Sequence, residues 1–243
     1  MATRKRRAER REEPLSRERI VEAAIELLDA AGEGGLTFRA LAERLSTGPG
    51  AIYWHVSGKE ELLTAAADAV VAAAVGADRV SAPDAGDGAA ATPQEAIRAL
   101  ALGVFDAIDA HPWIGDDLAR APARSPMLRV FERLGRQVQA LGVPHAAQFT
   151  AVSALHNYIL GTGGQNAANA RAHKAIEPYE DRTAFLGAAA DAWADLDPDE
   201  YPFTRGIADQ MRGHDDRAEF LAGIDIIVAG ITADWTRTAP ASS

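Results

Sequence analysis

The sequence predicts an all-α chain, with a three-helix N-terminal domain followed by a larger helical one. Three observations carry that prediction. Apolar residues recur at helical spacing from Ile20 onward, and no stretch alternates with period two for long enough to argue a sheet. Between the helical blocks lies "RVSAPDAGDGAAATP" (Arg79 to Pro93), whose Gly, Ala, Pro and Asp content is that of a loop or hinge. The expected domains are an arm over 1–15, a small domain over 16–62 and a larger one over 63–238.

Residues 1–14 are charged, lack apolar periodicity and close on Pro14, which predicts a disordered arm. Ser16 is placed to cap a first helix with Ile20, Ala23, Ala24, Leu27, Leu28 and Ala31 on one face, and "GEGG" (Gly32 to Gly35) is expected to stop it. Thr37 is an N-cap candidate for "FRALAERL", with Leu41 and Leu45 inward and Arg39 and Arg44 outward. After "STGPG" comes a second short helix, "AIYWHV", and "SGKEELL" then opens a long helix to about Ala77. Beyond the hinge, helical patterns occupy 94–110, 113–120, 126–141, 144–170, 181–196 and 218–236. Pro112, Pro122, Pro126, the Gly142-Val143-Pro144 turn, Pro178 and "DPDEYPF" break them.

Composition narrows the function classes. The 243 residues are 47% hydrophobic and 25% charged, enough apolar material for a sizeable core. With no cysteine, disulfides, thiol catalysis and Cys-ligated zinc are excluded. No apolar run reaches membrane-span length, and the basic N-terminus is not followed by the apolar stretch of a secretory signal. A cytoplasmic location, at the nucleoid, is the expectation. The net charge of −10 is unevenly spread: residues 1–60 carry 11 Lys/Arg against 10 Asp/Glu, the remainder 14 against 25. A basic end on an acidic body fits either an arm that meets a polyanion or a solubilising tail.

Two short helices joined by about four residues are the plan of a helix-turn-helix. The residue chemistry suits it. Gly48, Pro49, Gly50 and Ala51 are small enough for the backbone to approach a groove floor, with Pro at a first-turn position where its missing N–H costs little. The Thr37 hydroxyl at a helix start suits a phosphate, and the Arg39 guanidinium suits a guanine edge. Tyr53, His55 and Lys59 offer donors to backbone phosphates, which fix register without reading sequence. Trp54 is expected to pack inward between the helices.

"LTFRALAERLSTGPGAIYWHVSGKEELL" resembles the DNA-binding signature of TetR-family (tetracycline-repressor-like) transcriptional regulators. Thr37, Leu41, Ala42, Leu45, Ile52, Tyr53, His55, Lys59, Leu62 and Leu63 match its pattern, as do Ile20, Ala23, Ala24, Leu27 and Gly32 before it. Two departures stand out. The family's turn commonly reads Gly-Val-Ser, where this chain has Ser46-Thr47-Gly48, so the turn dihedral that a glycine would serve falls on another residue. The positions that often read bases are Pro49, Gly50 and Ala51, which shifts specificity toward Arg39, Thr47, the basic arm or DNA shape.

The resemblance continues in "FTAVSALHNYILGTGGQNA" and "AEFLAGIDIIVAGI", which are similar to two helices of the tetracycline-repressor-type regulatory domain. It implies a homodimer formed through the helices near 144–170 and 218–236. In the last helix Phe220, Ile224, Ile227, Ile231 and Trp235 make a stripe flanked by Leu221 and Val228. That stripe is wider than one core needs, though a fully buried helix would carry it too. By position, the resemblance also implies a small-molecule effector site on Leu100, Val104, Phe131, Leu134, Phe149, Val152 and His156, with Gln165 reaching in from the dimer partner. These positions are mostly aliphatic, unlike the polar, metal-binding set that tetracycline needs. For each residue singly, core packing is the competing account.

Other features carry less. His111, His145, His156, His173 and His214 show no metal-ligand spacing. "HDD" (His214 to Asp216) suits a loop or helix start better than a cation site, and "GTGG" (Gly161 to Gly164) lacks the strand and Lys-Ser/Thr of a phosphate loop. Its glycines are expected to let helices approach at the dimer contact. No catalytic, metal or cofactor site is expected. The reading is a ligand-responsive homodimeric regulator, most simply a repressor, on double-stranded DNA with a palindromic operator. A helical small-molecule carrier or enzyme without DNA binding, and a helical dimer acting through protein partners alone, are the rivals.

Overall fold

The computed structural model describes residues 14–76, 91–114, 125–175 and 182–238, and all regular structure among them is helical. The chain divides into two compact units at Ala66/Ala67. Residues 1–13 of the arm, most of the hinge, residues 115–120 of the helix expected over 113–120, and Pro122 and Pro178 lie outside the described residues, as do the side chains of His173 and Trp235.

In the first unit, α1 (Arg17–Gly35) starts where the Ser16 hydroxyl accepts from the Arg19 N–H at 3.3 Å. Its buried face is Ile20, Val21, Ala23, Ala24 and Leu28. "GEGG" does not stop it cleanly. Gly32 leaves helical geometry at φ 61°, and one further turn runs on to Gly35. The buried face of α1 ends at Leu28, so Ala31, one residue before the kink, is exposed rather than inward. α2 (Phe38–Arg44) is capped by Thr37, whose hydroxyl accepts from Ala40 N–H at 3.1 Å, and buries Leu41 and Ala42. α3 (Pro49–Tyr53) begins two residues before the expected start, because Pro49 sets the first-turn φ, and ends before Trp54. Ile52 and Val56 close the small core.

α4 (Lys59–Gly76) spans the division between the units. Its start is fixed by Glu61, whose carboxylate accepts from the Ser57 N–H and hydroxyl, both at 2.7 Å. With Arg17 also donating at 3.2 Å, these bonds hold the Glu61 carboxyl down at about 2.

The second unit is a bundle. α5 (Pro93–Ala110) opens on a capping box: Thr92 Oγ1 accepts from Glu95 N–H at 3.3 Å, and Glu95 accepts from Thr92 N–H at 2.8 Å. Ile97, Leu100, Ala101, Val104, Phe105 and Ile108 form its buried face. α6 (Ser125–Ala140) turns at Gly142 (φ 78°) into α7 (His145–Ala175). α5, α6 and α7 pack on one another, and α11 (Asp216–Thr238) packs on α5 and α7. α8 (Arg182–Ala194) packs with two one-turn helices absent from the sequence reading, α9 (Pro202–Gly206) and α10 (Ala208–Arg212). "HDD" is a helix start: Asp215 accepts from the Arg217 and Ala218 N–H groups at 2.9 and 3.0 Å. No helix among the described residues is long and apolar enough to cross a membrane.

Candidate functional site

The turn between α2 and α3 answers where the missing glycine's dihedral went. Ser46 adopts φ 52°, the left-handed conformation that favours glycine, while Gly48 sits at φ −86° as the cap of α3. The Thr47 N–H donates to Ala42 O at 2.9 Å, closing the end of α2. Thr47 is half-buried there, and Gly48, Pro49 and Gly50 are exposed, with Ala51 half-buried behind them.

Two features of this surface set it apart. A Cβ added at Gly48 or Gly50 would meet nothing within 4 Å, and neither residue has a positive φ. The fold therefore has no need of glycine at either place. Second, the arginines around it differ in their partners. Arg17 pairs with Glu61 and Arg44 with Glu26, whereas the exposed Arg39 has no hydrogen-bond or ion-pair partner among the described residues. A guanidinium left unpaired on the exposed side of α2 is equipped for an external acceptor.

The aromatics depart from expectation. Trp54 does not pack inward: it is 89% exposed, because α3 ends at Tyr53 and Ile52 and Val56 already fill the space between the helices. Tyr53, 55% exposed, stacks on Phe38 with centroids 4.3 Å apart and planes 8° from parallel. That stack ties the start of α2 to the end of α3 and went unread in the sequence, although Phe38 directly after the Thr37 cap is the signal for it. His55 is half-buried. Lys59 is exposed and its ammonium donates to Glu33 O, so it also ties α4 to the kinked end of α1.

In the second unit, Leu100, Val104, Leu134 and Val152 are buried where α5, α6 and α7 pack. Phe131, Phe149 and His156 form a separate aromatic group. Phe131 lies 6.0 Å from Phe149 and 5.7 Å from the His156 imidazole, the latter edge to face. Phe149 is 73% exposed, whereas His156 Nε2 is buried and has no hydrogen-bond partner. Burial pushes the His156 imidazole below its ordinary range, so the ring is neutral at physiological pH. Gln165 is exposed on α7. A cleft of about 370 Å³ elsewhere in this unit is lined by Phe105, Asp106, Asp109, Asn166, Arg182 and residues 214–217. Its two arginines are paired, Arg217 with Asp106 and Arg182 with Asp216, and His214 lies against the Asp216 and Glu219 carboxylates. Among the described residues no group of side chains is arranged to hold a metal.

The expected apolar stripe on α11 is rotated. Phe220, Ile224 and Val228 are buried, Leu221, Ile227 and Ile231 half-buried, and the outward residue is Ile226 at 72% exposure. Of the "GTGG" glycines, Gly163 serves contact within the chain, since a Cβ there would meet Ile108 Cδ1 at 2.7 Å. Gly161 and Gly164 face open space.

Comparison with known proteins agrees with this architecture. Residues 20–66 match the model of bacterial regulatory proteins of the tetR family, and residues 82–235 match the tetracyclin repressor-like C-terminal domain. An HTH-type transcriptional regulator of Saccharopolyspora erythraea is 30% identical over 220 residues, covering 90% of this chain and 85% of the relative. The solved structure of SCO7222, a TetR-type transcriptional regulator of Streptomyces coelicolor, superimposes with a TM-score of 0.79 at 59% identity, covering 90% of this chain and 99% of that one. ActR of Streptomyces coelicolor, solved in complex with actinorhodin, shares the fold at a TM-score of 0.69 and 22% identity, over 91% and 97% of the two chains. The chain belongs to the TetR family of bacterial transcriptional regulators.

Proposed function

We propose that the protein is a homodimeric repressor that holds a palindromic operator and leaves it when a small hydrophobic effector binds its C-terminal domain. It is not an enzyme in this reading, and it works in the cytoplasm at the nucleoid. The observation that carries the proposal is the unpaired, exposed Arg39 on α2, together with two glycines at the start of α3 that the fold does not require. Arg39 reads a guanine edge. Thr37, Tyr53, His55 and Lys59 hold phosphates, and the exposed Trp54 adds an apolar face against the backbone sugars. Gly48, Pro49, Gly50 and Ala51 let the backbone come close, with Thr47 at the turn.

Dimerisation is supported by two exposed helical stripes without charged residues: Ala154, Asn157, Gly161 and Gln165 on α7, and Ala222, Ile226, Ala229 and Ala233 on α11. A two-fold axis through such faces would set the recognition helices roughly 34–36 Å apart, one turn of duplex. Leu100, Val104, Leu134 and Val152 form the apolar wall of the effector site, with Phe131, Phe149 and His156 at its aromatic edge and Gln165 contributed across the dimer. That ActR was solved with actinorhodin supports a small molecule in a fold of this kind. To empty a nearly full operator, the effector must prefer the released conformer by about 5 kcal/mol. α4, which spans both units, is the element through which that preference would be felt.

Gel shifts of the full-length protein on fragments of its own upstream region, repeated over a salt series, test the proposal. The expected result is one specific fragment bound as a dimer, with affinity falling steeply as salt rises. Binding that is equal on all fragments, or absent, would sink it.

A further inference from the structure

Tyr53 ends a helix of five residues, is exposed, and its hydroxyl has no hydrogen-bond partner among the described residues. An exposed side chain of this kind ordinarily samples several rotamers, and ordering it at an interface weakens binding. One contact restrains it. The Phe38 ring lies 4.3 Å from the Tyr53 ring, centroid to centroid, with the planes 8° from parallel. Trp54, the next residue, is also exposed and meets no aromatic ring among the described residues. Of these two adjacent aromatics, only Tyr53 has its ring plane set.

Phe38 is itself well placed to act as a support. It is the first residue of α2, directly after Thr37, whose hydroxyl accepts from the Ala40 N–H and fixes the backbone of this turn. It also stands apart from the core. Leu36, Leu41, Ile52 and Val56 are buried there, while Phe38 is half-buried and meets the ring of an exposed residue. We propose that Phe38 is a positioning residue for DNA: its ring holds Tyr53 in one plane before a duplex arrives, so the phenol hydroxyl meets a backbone phosphate already ordered. The inference rests on the reading of Tyr53 as a phosphate contact and adds a residue that acts through it. Phosphates carry no sequence, so the contribution of Phe38 is the same on every duplex.

The test titrates full-length protein onto the upstream fragment and onto a random-sequence duplex of the same length, at low salt, with a thermal melt of each preparation. Phe38→Leu should weaken binding to both duplexes about three- to tenfold, the loss of one aromatic stack. Phe38→Trp, which keeps a flat ring, should recover most of it. In a Tyr53→Phe background the hydroxyl is already gone, and Phe38→Leu should then weaken binding little further. That non-additivity separates positioning from a general loosening of the domain, which would act equally in both backgrounds. Should Phe38→Leu not fold, Phe38→Met takes its place in the same cycle. In DNA-free protein labelled with carbon-13 at tyrosine, the Tyr53 ring resonances should move when Phe38 is replaced by either aliphatic residue. Wild-type affinity without the Phe38 ring, equal losses in both Tyr53 backgrounds, a loss confined to one duplex, or unmoved Tyr53 resonances would overturn the assignment and leave DNA binding standing. Wild-type protein that binds both duplexes alike loses its operator but not this test, which is read on either duplex. If it binds neither, the assignment falls together with the repressor reading.

Discussion

At Gly103 an added methyl would meet the Ala74 carbonyl oxygen at 2.9 Å, and at Gly223 it would fall on the Tyr158 phenol. At Gly48 and Gly50 it would meet nothing within 4 Å. The four residues are identical in sequence and opposite in cause. In the C-terminal bundle the missing side chain lets α5 lie against α4 and lets Tyr158 stack on Phe220, 5.6 Å away and 9° from parallel. At Gly48 and Gly50 the missing side chain makes room for nothing inside the protein; Gly48 holds a cap position that suits glycine, but Gly50, within α3, is unfavourable by up to about 1 kcal/mol relative to alanine. A residue that the fold does not require, at some expense to stability, is best accounted for by something outside the fold.

The contrast breaks most visibly under substitution. Gly223→Ala should displace Tyr158 from its stack and from its bond to Phe220 O, lowering stability by about 1–3 kcal/mol in a thermal or urea melt. Gly50→Ala should leave the melt unchanged or raise it, while weakening operator binding in the same preparation. Destabilisation by Gly50→Ala would end the distinction.

Arginines sharpen it next. Arg39→Ala should lose about 1–3 kcal/mol on the cognate operator and little on random duplex, read by competition gel shift. Arg44→Ala breaks only an exposed pair with Glu26, and should change stability by at most about 1 kcal/mol with base preference intact. Ser46→Gly relieves a left-handed serine and should raise stability by about 1 kcal/mol without touching DNA specificity.

The smallest effect is a pH dependence. Glu61 is held at about 2 by Ser57 and Arg17. A carboxyl depressed on folding contributes stability that is complete above the ordinary glutamate range and is lost as pH falls toward 2. Glu61→Gln should flatten that acid limb of the stability curve and leave neutral pH nearly unchanged.

Much of this was legible in the sequence because its causes are local. Caps at Ser16 and Thr37, Pro49 at a first turn, and the periodicity of α5 and α11 each act within a few residues, and the helices formed where they pointed. What the sequence hid depends on neighbours distant along the chain. Trp54 was expected inside because large aromatics usually are, yet Ile52 and Val56 had already filled that space. The exposed Lys59 donates to the Glu33 carbonyl, which lies 26 residues earlier in the chain and just past the kink at Gly32. The orphan at His156 is likewise invisible in sequence, since it is defined by what fails to pack against Nε2.

The central claim, that this chain reads DNA through the α2–α3 surface with Arg39 on the base edge, is tested most directly by footprinting the full-length protein on the region upstream of its own gene. Protection of one palindrome, with half-sites a helical turn apart and lost in Arg39→Ala, is the predicted result. An unprotected region, or protection without two-fold symmetry, would contradict it.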